Sequence, residues 1–170
     1  MAALVFFLFV QLSPAQATPV ADIALGYSGI DVVKGPSLTA NGGSGSVGFN
    51  VNDWLGIVGD FGVYHASPSG GAVTAETYTF GPRLSYRHWK RLVPFVQVLF
   101  GGAHASATGG FTAPPNALAL GAGGGADIRL DSAGRWALRP QVEYFAFGTI
   151  GSTTDTVRYS LGFVFHFRRT

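Results

Sequence analysis

Cysteine is absent from this 170-residue chain, which removes disulfides, thiolate nucleophiles and thiolate-bound metals together. Charge is scarce: Asp, Glu, Lys and Arg make up 12% of the residues, about half the share of a soluble domain. The charged coat of an ordinary soluble protein is hard to build from so few. The net charge of +2 comes from scattered basic residues and gives no ground for nucleic-acid binding. No run of about 18 apolar residues is present to cross a bilayer as a helix. Apolar residues at i, i+3, i+4 and i+7 with helix caps are missing too, as is any shift in composition that would divide the chain into two domains.

The N-terminal stretch MAALVFFLFVQLSPAQA has an apolar run, Ala2 to Leu12, too short to span a membrane. It ends on Ala15-Gln16-Ala17, the small-x-small pattern of a signal peptidase site. No Lys or Arg precedes the run. Residues 1–17 are read as a secretory signal and 18–170 as one exported domain.

Glycine is abundant, 25 residues or about twice the usual share. Segments with a period of two are abundant too. Arg158 to Phe167 reads RYSLGFVFHF, with Tyr159, Leu161, Phe163, Phe165 and Phe167 in one phase, the pattern of a strand with unlike faces. Eight such segments are predicted, at roughly 20–30, 43–52, 54–65, 74–87, 93–105, 116–130, 135–146 and 156–167. Their connections alternate. Asn52-Asp53, His88 to Leu92 and Asp131 to Gly134 are short turns, whereas 31–42, 66–73, 106–115 and 147–155 are longer and rich in Gly, Ser, Thr and Pro. That alternation is expected of an antiparallel up-and-down barrel with both termini at the short-turn end.

Choosing each strand's phase from its aliphatic and aromatic residues puts Ile23, Val47, Phe49, Ile57, Phe61, Phe80, Phe100, Leu120, Val142 and their alternates on one face. Asp22, Asp60, Arg83, Arg87, Asp127, Arg129, Arg139, Glu143 and Arg158 then fall on the other, with Asn50, Gln97 and Gln141. Among charges within the segments, Glu76 alone departs, near a long-loop end. An eight-stranded barrel has an interior just wide enough for its own side chains. The aromatic face is too bulky to fit there, while the other mixes long polar groups with Gly26, Gly48, Gly81, Gly121, Gly123 and Gly125. The apolar face is therefore predicted to meet lipid and the polar face to fill the lumen. Trp54, Trp89, Trp136, Tyr86 and Phe167 should share the turn-side interface.

Closure is required, because an open sheet edge in lipid leaves backbone groups unpaired at several kcal/mol each. Pro82 and Pro140, on the outward face inside strands, should bring bulges or irregular pairing. The lumen charges are expected to form a plug of paired ions, since unpaired buried charges are costly. Asp60 with Arg83 and Asp127 with Arg139 are the neighbours the strand order suggests.

The eight segments, the loop alternation and the last strand resemble the small OmpA-like, eight-stranded outer-membrane barrels of Gram-negative bacteria, over essentially the whole mature chain. Ser160, Gly162, Phe165 and Phe167 are similar to that family's C-terminal signal, although Arg168-Arg169-Thr170 follow it here. The resemblance implies an outer-membrane location, lipid as surroundings and contact with the barrel-assembly machinery during insertion. No peptidoglycan-binding domain is expected to follow.

Catalytic candidates are few. His104-Ala105-Ser106 has the His-x-Ser spacing used by lipid A deacylase barrels, but no acid lies nearby in sequence to orient the imidazole. The flanking Ala-Thr-Gly-Gly reads as a loop. His65, His88 and His166 are too dispersed for a metal site. Gly42-Gly43-Ser44-Gly45 and Gly121 to Gly125 lack the lysine of a phosphate loop, and Asn41-Gly42 and Ser69-Gly70-Gly71 read as turns. No cofactor, metal or catalytic residue is expected. The expected protein is a monomeric, non-enzymatic outer-membrane barrel with a structural or loop-mediated adhesive role towards an external ligand that the loops do not specify. The alternatives are a narrow solute pore, a lipid-modifying enzyme and a soluble lipocalin-type binder.

Overall fold

A computed structural model describes residues 18–34, 39–67, 71–109, 116–149 and 152–167. The expected signal segment 1–17, the turn residues Ser69 and Gly70, and the tail 168–170 lie outside the described residues. Eight strands follow in order: β1 (Ala21–Lys34), β2 (Thr39–Asn50), β3 (Leu55–Ala66), β4 (Ala72–Ser85), β5 (Leu92–Thr108), β6 (Asn116–Arg129), β7 (Trp136–Thr149) and β8 (Ser152–Phe167). Each pairs antiparallel with its sequence neighbour, and β1 pairs with β8 to close the barrel. Register accumulated once around the eight pairings displaces the chain by about ten residues, which for eight strands corresponds to a tilt of about 40°.

The turn-side connections are held by side chains that mimic backbone. Asn52 Oδ1 accepts from the amides of Trp54 and Leu55. Asp131 accepts from the amides of Arg135 and Trp136, while Gly134, at φ 61°, makes the left-handed step that returns the chain. The β1–β8 seam depends on another glycine. A Cβ on Gly26 would run into the backbone of Leu161 and Gly162, so these strands approach closely only because residue 26 has no side chain.

At the opposite end the strands run further than the sequence suggests. Residues 31–34, 39–42, 106–108, 147–149 and 152–155 belong to strands. Asn41-Gly42 is not a turn: it pairs with Gly29 and Ser28 on one side and with His65 and Tyr64 on the other. His104 lies within β5 as its segment predicts, and Ser106 lies there too and not in the loop. Small polar residues here have no apolar alternation to announce a strand, yet both neighbouring strands offer them backbone partners.

Pro82 and Pro140 interrupt pairing without shifting it. The β4–β5 ladder skips from Phe80↔Phe100 to Arg83↔Gln97, and the β6–β7 ladder from Gly125↔Gln141 to Ile128↔Leu138, each resuming in its former register. Each proline lacks the N–H that would complete the ladder there, and neither forms a bulge. A register shift appears instead at Val32/Lys34, in the β1–β8 seam.

The apolar residues face outward. Along β8, Phe163 is 62% exposed and the adjacent Val164 is fully buried in the lumen. Ile23, Phe49, Ile57, Phe61, Phe80, Phe100, Leu120 and Val142 are exposed in the same sense. Trp54, Trp89 and Trp136 mark the turn-side end of this band. Trp136 packs edge-on against Phe165, which packs in turn against Phe167. Tyr27, Tyr78, Tyr144 and Tyr159 face outward higher up; along β7, Tyr144 stands roughly 20 Å above Trp136 by strand rise and tilt. Two aromatic girdles around an apolar band are the signature of a barrel immersed in a bilayer.

Candidate functional site

Strand alternation delivers polar side chains from seven of the eight strands into one continuous lumen network. Arg139 of β7 lies at its turn-side end, with Nε donating to Asp127 Oδ1 at 2.5 Å and Nη2 donating to Asp127 Oδ2 at 2.8 Å and to Asp22 Oδ1 at 2.9 Å. Asp22 also accepts from Arg83 Nη1 at 3.3 Å. Arg83 Nε donates to Gln97 Oε1 at 2.8 Å, and Gln97 Nε2 passes the chain on to Glu143 Oε1 at 2.6 Å. The other Glu143 oxygen receives Gln141 Nε2 at 3.1 Å and Arg158 Nε at 2.6 Å. Arg158 Nη1 then reaches Asp60 Oδ1 at 2.6 Å and the Tyr64 hydroxyl at 3.1 Å. The charged members are almost wholly buried, Arg158 and Glu143 each being 1% exposed.

Two phenylalanines complete the packing. The Phe95 ring lies 4.7 Å from the Arg83 guanidinium and 5.2 Å from that of Arg139, and Phe145 lies 4.9 Å from Arg158. Stacking of this kind lets a guanidinium use its faces on aromatic rings and its edges on carboxylates.

Several placements differ from the sequence reading. Asp60 pairs with Arg158 and not with Arg83, because the β3–β4 register sets Asp60 opposite Thr79 and Arg83 opposite Gly56. Arg87 and Arg129 face inward at the turn-side mouth, where Arg87 lies near Asp127 and Asp22. Arg87 donates to Asn50 Oδ1 at 2.7 Å, and Arg129 to the Lys90 carbonyl at 3.0 Å. Arg83, Arg139 and Arg158 make close ion pairs with the four carboxylates of the plug. His166, whose Nε2 lies 3.5 Å from Asp127 Oδ2, joins them there. His166, Tyr64, Phe95 and Phe145 were missed in the sequence, although the period-two phase that places Arg158 inward also places His166 inward; the aromatics were hidden by the assumption that aromatic means lipid-facing.

Outside the barrel, near its outer end, His65, Glu76, His104, Ser106 and Asn116 form an exposed polar belt above the apolar band. The β4–β5 register sets Glu76 directly opposite His104, an acid that linear sequence does not supply. The imidazole nevertheless takes Asn116 as its partner, Nδ1 to Oδ1 at 3.3 Å. Among the described residues no hydrogen bond joins His104 to Ser106 or to Glu76.

A closed eight-stranded barrel with lipid-facing aromatics and an ion-paired lumen defines a small integral outer-membrane barrel. The chain matches the outer membrane protein beta-barrel domain family over residues 1–167 and belongs to it. Its location is the outer membrane. Comparison with curated protein sequences finds no match. Among solved structures it is similar to Neisserial surface protein A, with 16% identity and a TM-score of 0.69 over 86% of this chain and 96% of that one. It is also similar to Ail, the attachment invasion locus protein of Yersinia pestis, in complex with the heparin analogue sucrose octasulfate (18% identity, TM-score 0.63, 86% and 97% covered). OprG of Pseudomonas aeruginosa is a further structural relative (10% identity, TM-score 0.61, 90% and 98% covered). At these identities the likeness is one of fold.

Proposed function

We propose that this protein is a non-conducting, non-enzymatic outer-membrane barrel whose biological work, structural or adhesive, is done at its external end. The observation that carries this reading is the buried network from Asp127 to Asp60, which occupies the lumen with paired ions from six strands bridged by Gln97 from a seventh. An ion crossing the barrel would have to part bonds of 2.5–2.9 Å between desolvated partners, and one side left unpaired costs about 3–5 kcal/mol. The monomer is sufficient for this role, since the barrel closes on itself.

The external end is poor in charge. Residues 31–42, 66–73, 106–115 and 147–155 contain one lysine, no arginine and two aspartates. A sulfated polyanion of the kind bound in the Ail complex needs clustered cations, so adhesion here would address an uncharged or mixed surface. The test is planar-bilayer recording of the purified barrel. Absence of unitary currents up to high voltage is expected, and steady openings in the wild type would reverse the reading.

A further inference from the structure

We infer that the outer half of the lumen is a binding site for a compact, uncharged, apolar molecule about the size of one aromatic ring. Above the Arg158–Tyr64 layer the barrel interior is not filled. A cavity of about 160 Å³ remains, walled by Ile30, Val73, Ala75, Ala103, Ala117 and Phe147. Hydroxyls enter only through Tyr64, Thr77, Thr154 and Thr156, and no ionisable side chain other than the Tyr64 phenol lines it. The Tyr64 hydroxyl is already engaged by Arg158.

The cause is local and sequence-encoded. In the plug, a small inward residue faces a large one, as where Gly121 opposes Phe145 and Gly123 opposes Glu143. In the outer half, small faces small: Thr77 opposes Ala103, Ala75 opposes Ala105, and Ala103 opposes Ala117. The interior width fixed by eight strands is therefore left unfilled at this level, where no long side chain reaches across.

Such a space offers water only a few wall hydroxyls, of which those of Tyr64 and Thr156 are already engaged, and an engineered apolar cavity of about 150 Å³ in another protein stays dry and takes up benzene. A charged ligand would lose its hydration here with no counter-charge to replace it, because Arg158 below is already satisfied by Glu143 and Asp60. The wall is built from strands paired on both sides, so the site needs no rearrangement to form. The inference goes beyond the role proposed above, and a conducting barrel would leave it standing.

The test uses the full mature chain in lipid nanodiscs with labelled alanine and isoleucine methyls, titrated with benzene. Saturable shifts are expected at Ala75, Ala103, Ala117 and Ile30, with the outward methyl of Ala122 reporting bilayer partition only. Benzoate at tenfold higher concentration should move none of the lumen methyls. Ala75→Leu and, separately, Ala103→Leu should abolish the saturable shifts while the barrel keeps its heat-modifiable gel migration. Lumen shifts that grow linearly in step with Ala122, an absence of lumen shifts in the wild type, or saturation that survives filling of the cavity would overturn the inference. Benzoate binding equal to benzene would overturn its assignment to uncharged molecules.

Discussion

Replacing Arg158 with methionine probes the lumen plug most severely. Methionine keeps much of the aliphatic volume against Phe145 but removes the bonds to Glu143, Asp60 and Tyr64. Two carboxylates buried at 1% and 6% exposure are then left without their cation. Breaking a buried pair from one side costs about 3–5 kcal/mol, because the remaining charge is neither hydrated nor matched. The assay is urea unfolding of the barrel in lipid vesicles, followed by tryptophan fluorescence and by heat-modifiable gel migration, with the slope checked for constancy. Adding Asp60→Asn and Glu143→Gln to Arg158→Met should recover about 2 kcal/mol or more, since the penalty belongs to the stranded charges. A loss below about 1 kcal/mol for Arg158→Met, the value of an exposed surface pair, would refute the claim that this network is buried and coupled.

Other outcomes follow from the same geometry. Phe100→Arg, at mid-height on the lipid face, should cost about 2–4 kcal/mol, whereas Thr77→Ser in the lumen should change stability little; equal effects measured by vesicle unfolding would contradict the assigned faces. Gly26→Val should prevent closure of the β1–β8 seam and abolish heat-modifiable migration; a normally migrating barrel would show that the seam tolerates a side chain. Phe167→Ala is expected to slow barrel-assembly-assisted insertion into reconstituted vesicles while leaving unassisted refolding largely intact. His104→Ala should leave lipid A unchanged by mass spectrometry relative to wild type, and a difference between the two would establish an enzymatic role for the polar belt.

The legible part of the molecule was the part governed by a period of two. Outward apolar residues and inward charged ones (Asp60, Arg83, Arg139 with Glu143, Arg158) alternate so regularly in β3, β4, β7 and β8 that strand phase, barrel size and lumen polarity follow from residue type. Long-range register does not follow: Asp60 meets Arg158 from 98 positions away in sequence, through accumulated offsets that no local pattern states. The outer ends differ from the sequence reading for a compositional reason, because Asn41-Gly42 and Ser106 to Thr108 have turn-like residues held in strand only by their neighbours. The vacant outer lumen was invisible for a related reason. A cavity is a relation between opposed small residues, and opposition is set by register.

The measurement that bears most directly on the whole account is a nitroxide scan of β8 in lipid, which the cysteine-free sequence permits at single sites without background labels. Labels at Leu161 and Phe163 should collide strongly with dissolved oxygen and weakly with a water-soluble nickel chelate, whereas labels at Gly162 and Val164 should be shielded from both. A scan in which Gly162 and Val164 meet oxygen while Leu161 and Phe163 are shielded would mean that the aromatic face is the core and the barrel does not reside in lipid.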